Sequence, residues 1–458
     1  MIKLTLREIA KATDGKIISG DCELEINSVS IDSREVGKNT LFIPLKGEKA
    51  DGHDYIENAF CAGAVAVISE KEVDVNEDKG VILVENTAFA LGKISKYYKS
   101  LFNIKTVAVT GSVGKTTTKD MLSSVMGMQY YTLKTEGNYN NEIGLPLTAL
   151  RLNENYEAAV FEMGMSAFGE IEYLADIVRP EVGIITNIGM SHIENLGSQE
   201  GIYKAKTEIC KFFNKDSVLI VNGDDKFLRK TKEFEGFRVI TCGIENKDCD
   251  YLAYDIQNLG LDGTRFKTKL YGGEHTINIK VPGVHNIYNA LISAACGVHY
   301  NIGPRQIIEG IENFSLTKMR MSVEKAGSVT IINDCYNSSP DSVNAALKVL
   351  ATQNTRKVAV LGDILEMGDF AKDAHTKIGE EVVKTGIDFL ITVGDNAKFI
   401  AHSAKNLGEE NIVVFDKTED AKEKISDYIK ENDSVLIKAS RGMHFEVLTE
   451  KIKDVMKG

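Results

Sequence analysis

Apolar residues in this chain fall into short runs separated by stretches in which they recur every three or four positions, the two periods of buried strands and amphipathic helices. In the first hundred residues, runs at 41–45, 65–68 and 81–84 predict strands, and helices are predicted near 55–61 and over 89–101. The pattern breaks near residue 103. From Lys105 it becomes regular: 106–110, 158–162 and 182–187 are apolar strand candidates, each followed by helical spacing, an order that predicts a parallel sheet. Residues 251–281 interrupt it with alternating segments around Asp262-Gly263 and Gly272-Gly273, which predict hairpins added to the same domain. Helical spacing returns at Ile287, Ala290, Leu291, Ala294 and Val298. A third unit opens near Leu316, with strands near 329–332, 358–361, 390–393, 412–415 and 435–437.

The expected fold is therefore α/β with three domains. Residues 1–103 form a small α/β domain, 104–315 a central P-loop ATPase-type parallel sheet with added β-hairpins, and 316–458 a C-terminal Rossmann-like α/β domain. The third unit lacks Gly-x-Gly-x-x-Gly after its first strand, so no dinucleotide site is assigned there. A length of 458 residues suits about three cores.

Charge narrows the function. With 54 basic and 66 acidic residues the net charge is −12, unlike the basic footprint of a nucleic-acid binder, so an anionic substrate needs local cations. Seven cysteines without a CxxC pair point to a reducing compartment. Residues 1–10 lack the apolar core of a signal peptide, and no apolar run approaches the roughly 20 residues of a spanning helix. The expectation is a cytoplasmic monomer without nucleic-acid partners or membrane insertion.

One segment carries phosphate chemistry. Thr110-Gly111-Ser112-Val113-Gly114-Lys115-Thr116-Thr117-Thr118 follows an apolar strand and opens a helix whose buried face is Met121, Leu122 and Val125. Backbone N–H groups at such a junction converge on phosphate, and glycines let the chain approach it. Lys115 would reach the transferred phosphate of ATP and Thr116 the magnesium ion. Val109 stands where the first glycine of the usual loop would be, so a shorter loop is expected.

Ligands in parallel sheets gather beyond the carboxyl ends of the strands. Glu162 ends one strand candidate there and His192 follows another, so the two could complete magnesium coordination directly or through water. Taken alone, a strand-end Glu is a solvated carboxylate and a lone His a loop hydrogen-bonder. Lys206 lies on a helical stretch with apolar positions Ile202, Ala205, Ile209 and Phe212, where a solvated lysine is the default reading.

Together, the phosphate loop, Phe161-Glu162-Met163-Gly164-Met165, the 187–197 segment and Ala205-Lys206-Thr207-Glu208-Ile209 resemble the central domain of the Mur ligases. The resemblance spans the whole chain. The 135–146 segment, with Asn138, Asn140 and Asn141, the 361–368 segment, and His375 with Gly379 are most similar to the branch that adds D-alanyl-D-alanine. The resemblance implies an ATP-dependent amide-bond ligase acting on UDP-N-acetylmuramoyl-tripeptide and D-alanyl-D-alanine, through an acyl phosphate, in peptidoglycan precursor synthesis. It implies one or two magnesium ions. Lys206 matches a lysine that several members carry as N-carboxylysine, a metal ligand.

By the same resemblance Asn286 and Asn289 face the nucleotide, Arg320 points at the terminal phosphate, and Asp334 and Tyr336 belong to the segment around ribose and base. Residue chemistry alone makes Asn286 a helix cap and Arg320 a surface ion-pair partner. Ser30, Ser33, Arg34, Lys46, Asp51 and His53 match segments that bind the uridine diphosphate end. Gly111, Ser112, Val113, Gly114, Lys115, Thr116 and Thr117 hold the ATP phosphates, and the catalytic set is Lys115, Arg320, Lys206 and His192. Two other readings stand beside this one: a folylpolyglutamate-synthetase-like ligase, which shares the loop but not the first domain's segments, and a nucleotide-binding regulatory protein.

Overall fold

The computed structural model describes residues 3–47, 50–315, 317 and 319–456. It contains three α/β units. The expected opening of the third unit at Leu316, and Glu48 and Lys49 of the first unit's loop, lie outside the described residues.

The first unit is a five-stranded sheet. Its parallel strands Ser28–Ser30, Thr40–Phe42, Ala64–Ser69 and Gly80–Leu83 are closed by antiparallel Lys16–Ser19. Two of these strands, Lys16–Ser19 and Ser28–Ser30, are too short and polar to register as apolar runs. The helix Thr87–Ser100 leads out of the unit and packs on the central one.

The central sheet has seven parallel strands. Its first strand in the chain, Lys105–Thr110, lies between Ala158–Glu162 and Val182–Ile185. The chain builds one side of the sheet and then crosses to the other, leaving a switch-point crevice at the carboxyl ends of these three strands. Period-two alternation divides each strand between two cores. Val107, Val109, Ala158 and Val160 pack with Met121, Leu122, Val125 and the helix Asn286–His299 on one face. Ala108, Ala159 and Phe161 face the helices on the other.

The predicted hairpins are present as an antiparallel sheet of Tyr254–Asn258, Thr264–Leu270 and Gly273–Ile279. Burial alternates residue by residue along its middle strand, with Phe266 and Leu270 in the core. The second turn sits one residue earlier than expected: Tyr271 and Gly272 both have positive φ, as a primed two-residue turn requires, and Gly273 already pairs.

The third unit is a six-stranded sheet ordered Ser322–Ala326, Val329–Asn333, Ser434–Lys438, Lys357–Gly362, Phe389–Val393 and Ile412–Phe415. The first of these pairs antiparallel with the second and the rest are parallel. Ser322–Ala326 was absent from the expected set because its polar residues, Ser322, Glu324 and Lys325, hide the strand. No helix among the described residues is long and apolar enough to cross a membrane.

Candidate active site

The phosphate loop owes its shape to two glycines and to the neighbouring strand end. Gly111 has φ 146°, and a Cβ there would stand 1.9 Å from Thr186 Oγ1. Gly114, at φ 86°, turns the chain into the helix Lys115–Gly127. The 186–189 segment brackets the loop: Ser112 N–H donates to the Asn187 carbonyl at 3.1 Å, Val113 N–H to Asn187 Oδ1 at 2.9 Å, and Thr186 Oγ1 to the Val113 carbonyl at 2.6 Å. The N–H groups of Gly114, Lys115, Thr116 and Thr117 have no partner among the described residues and make the anion cradle at the helix start. Val113 lines the cleft but has given its N–H to Asn187.

Lys115 curls back over the loop, its Nζ donating to the carbonyl of Gly111 at 2.8 Å and of Ser112 at 3.4 Å. Burial pushes its pKa below the ordinary lysine value; Glu162 opposes that shift and Arg320 adds to it. Residues 112–117 with Asn286, Asn289, Arg320, Asp334 and Tyr336 line one cleft of about 280 Å³ between the central and third units. Arg320 stacks over the Tyr336 ring at 4.1 Å, and its Nε is buried without a partner.

Asn286 and Asn289 are both buried and form a relay behind the loop. Thr118 Oγ1 donates to Asn289 Oδ1 at 3.0 Å, Asn289 Nδ2 to Asn286 Oδ1 at 3.0 Å, and Asn286 Nδ2 to the Pro282 carbonyl at 2.8 Å. Asn286 is the first residue of its helix and not its cap, which is His285.

Glu162 is 1% exposed. Its Oε1 accepts from Asn140 Nδ2 at 2.8 Å, while Oε2 is buried with no partner among the described residues, an orphaned acceptor beside a phosphate cradle. Asn140 thus contacts Glu162 itself, whereas Asn138 and Asn141 are exposed on the same loop.

Lys206 is 1% exposed, so the solvated-lysine expectation fails for it and holds for exposed Lys204 and Lys211. Position 206 lies four residues after Ile202 and three before Ile209, on the buried face; the helical spacing already contained this signal. Among the described residues no hydrogen bond or ion pair reaches its ammonium, and burial together with nearby Lys115 pushes its pKa well below the lysine value.

His192 sits apart from this group, at φ 61° before the short helix Ile193–Leu196. Its Nδ1 lies 2.6 Å from Glu366 Oε2 of the third unit, and this contact holds the Glu366 carboxyl below its usual range. It lines an adjoining cleft of about 190 Å³ that shares Ser191, Asn337, Ser338 and Ser339 with the first. Buried His375 shapes the Glu366 loop by accepting Ile364 N–H on Nε2 at 3.0 Å. No group of three or more His, Cys, Asp or Glu among the described residues is placed to hold a metal.

The first unit's residues form a separate cluster. Arg34 is exposed and doubly bonded to Asp32, whose carboxyl it draws down to about 2. Lys46 pairs with Glu70 and faces Asp51 across an isolated antiparallel bridge. Glu70 also accepts from Thr87 N–H at 3.0 Å at the start of the helix Thr87–Ser100. His53 is engaged at both nitrogens: Nε2 accepts Glu70 N–H at 3.2 Å, so Nδ1 carries the proton toward Asp51 Oδ1 at 2.6 Å. Ser30 Oγ donates to the Asp32 carbonyl at 2.8 Å, and Ser33 opens the turn Ser33–Glu35.

Sequence reasoning passed over His285, Asp341 and Lys438, all in the cleft lining. Lys438 ends a parallel strand, where the carboxyl-end rule would have found it.

Three domains of known type match the chain: "Mur ligase family, catalytic domain" over residues 25–99, "Mur ligase middle domain" over 109–297, and "Mur ligase, glutamate ligase domain" over 319–441. The UDP-N-acetylmuramoyl-tripeptide--D-alanyl-D-alanine ligase of Bacillus subtilis is 39% identical over 100% of this chain and 99% of its own length. A crystal structure of MurF from Acinetobacter baumannii covers 99% of both chains with TM-score 0.91 and 30% identity. MurF ligase from Thermotoga maritima, solved in complex with ADP, covers 94% of this chain and 98% of its own, with TM-score 0.83 and 28% identity.

Proposed function

This chain belongs to the Mur ligase family, and on that premise we propose that it is the ATP-dependent ligase that adds D-alanyl-D-alanine to UDP-N-acetylmuramoyl-tripeptide in peptidoglycan precursor synthesis. The observation that carries the reading is likeness to one enzyme through all three units, at 39% identity over the whole chain. A folylpolyglutamate-synthetase-like activity has no use for the first unit's cation cluster, and a nucleotide-binding regulatory protein has none for buried Lys206.

Joining a carboxylate to an amine in water requires activation. The tripeptide carboxylate attacks the terminal phosphorus of ATP, ADP leaves, and an acyl phosphate forms; the amine of D-alanyl-D-alanine then attacks the acyl carbon, phosphate departs, and the nitrogen loses a proton. The protein's share is charge and dryness. Gly114 to Thr117 present N–H groups to the phosphates, with Gly111, Ser112 and Val113 shaping the loop, and Lys115 and Arg320 neutralise the transferring phosphoryl group. Asn286, Asn289, Asp334 and Tyr336 wall the nucleotide, and a cleft shared by two units keeps water from the acyl phosphate.

Glu162, whose Oε1 is held by Asn140 while its Oε2 has no partner among the described residues, suits a magnesium ion, and Thr116 and His192, whose Nε2 has no hydrogen bond among the described residues, complete the proposed ligand set. Magnesium there supplies positive charge to the phosphates. Lys206, buried and driven toward the neutral amine, suits addition of carbon dioxide with release of a proton; the N-carboxylysine so formed is an anion able to serve a second ion. A carbamate resonance after growth on labelled bicarbonate, lost in Lys206→Arg, tests this directly.

Ser30, Ser33, Arg34, Lys46 and Asp51 are proposed for the uridine diphosphate end, with His53 bracing them, and Asn138 and Asn141 for the peptide arm. The proposed units are 1–103, 104–315 and 316–458. All assigned groups come from one chain, so a monomer suffices, and seven free thiols suit the cytoplasm. Phosphate release measured with ATP, magnesium and each muramoyl tripeptide, with and without D-alanyl-D-alanine, decides the matter: dependence on both substrates is expected, and indifference to D-alanyl-D-alanine refutes the reading.

A further inference from the structure

The turn that carries Arg320 has an unfavourable backbone. Met319 and Met321 on either side have φ of 61° and 50°, a left-handed region that residues with such side chains seldom enter. A turn of this kind persists only where its surroundings over-determine it. Tyr336 N–H donates to the Met319 carbonyl at 3.2 Å, the Tyr336 ring supports the guanidinium, and Met321 N–H donates to Asp334 Oδ1 at 3.0 Å.

The other oxygen of that carboxylate, Asp334 Oδ2, accepts from Lys438 Nζ at 2.6 Å. The same ammonium donates to the Asn337 carbonyl at 3.0 Å and the Asp334 carbonyl at 3.4 Å. Lys438 is 2% exposed, at the end of the strand Ser434–Lys438 beneath the nucleotide cleft. Its three protons meet three acceptors within its own unit, which leaves none for a phosphate. What this lysine fixes is Asp334, and through it the Arg320 turn.

We propose that Lys438 is a positioning residue of the ligase: by anchoring Asp334 it holds the 319–321 turn in the shape that presents Arg320 to the terminal phosphate beside Lys115. This rests on the role given to Arg320 above. A buried ion pair that only stabilised the third sheet would lower activity independently of Arg320, and a double-mutant cycle separates the two.

Lys438→Met is expected to lower kcat by about 10²-fold while KM for ATP moves less than about tenfold. Arg320→Ala is expected to lower kcat by about 10³-fold. In the double variant the second substitution adds less than about threefold, because the position that Lys438 maintains is no longer used. Losses that multiply, to roughly 10⁵-fold, overturn the proposal, as does a Lys438→Met enzyme with wild-type kcat. Wild-type kcat in Arg320→Ala instead removes the premise about Arg320. If Lys438→Met does not fold, Lys438→Gln, whose shorter, uncharged side chain removes the ion pair to Asp334 while staying polar, enters the same cycle with the same criteria.

Discussion

The phosphate cleft and the cation cluster of the first unit are both suited to phosphate, but they are built in opposite ways. In and beside the cleft, charged groups are underpaired: burial lowers the pKa of both Lys115 and Lys206, with Arg320 adding to the shift at Lys115 and Lys115 to that at Lys206, while Glu162 Oε2 and Arg320 Nε have no partner among the described residues. In the first unit's cluster the two assigned cations already have anions. Arg34 holds Asp32 and Lys46 holds Glu70, near the surface where water screens both. A ligand entering the cleft supplies missing partners, so its binding is coupled to developing charge. A ligand reaching the first unit exchanges partners and gains only the difference. The cleft should therefore govern kcat, and the first unit KM.

The strongest way to break this contrast is Lys115→Ala, expected to lower kcat by at least about 10³-fold. Stability should hold or rise. A lysine pKa depressed in the folded state means that, below the ordinary lysine value, the unfolded chain binds the proton more tightly, so protonated Lys115 opposes folding and its removal relieves that cost. Urea unfolding at a lower midpoint than wild type would show instead that Lys115 is a structural residue. Next in size, Lys206→Arg should lower kcat by about 10²-fold with the fold intact, because a guanidinium keeps its charge and cannot add carbon dioxide. Unchanged turnover would return Lys206 to an ordinary helix lysine.

The same contrast explains what was legible in the sequence. The loop and its strand could be read because glycine spacing and an apolar run are local signals, and the central and third sheets because their inner strands, such as Ala158–Glu162 and Phe389–Val393, are buried on both faces. Glu162 and His192 could be placed at the carboxyl edge, yet spacing did not reveal that Glu162 would be orphaned while His192 would stand in an adjoining cleft against Glu366, since that depends on how two units meet. Lys206 was readable in principle from its position between Ile202 and Ile209. The pairing of Lys46 was not, because a partner 24 residues away leaves no trace in spacing, whereas Arg34 finds Asp32 only two residues before it. Lys438 was hidden by the same kind of distance: Asp334 is 104 residues before it.

A smaller effect sharpens the first-unit half of the comparison. Lys46→Ala should raise KM for the nucleotide-linked tripeptide about fivefold with kcat within about twofold, since an exposed cation that only exchanges partners contributes little. The wild-type KM should rise with added salt, and the variant's should rise less steeply. A kcat loss as large as that of Lys206→Arg would mean that the first unit participates in charge development after all.

The smallest expected effect separates bracing from binding within that cluster. His53 is buried with both nitrogens satisfied inside the protein, so His53→Ala removes two hydrogen bonds and should cost about 2 kcal/mol in urea unfolding of the first unit. Because Glu70 keeps its bonds to Thr87 and Lys46, the KM for the tripeptide substrate should move by less than about threefold, near the limit that a slight shift of Lys46 allows. A tenfold rise in KM with unchanged stability would place the imidazole in the ligand's path. The first unit would then hold an underpaired group of its own, and the division between a dry, charge-starved cleft and a wet, self-paired anchor would no longer describe this enzyme.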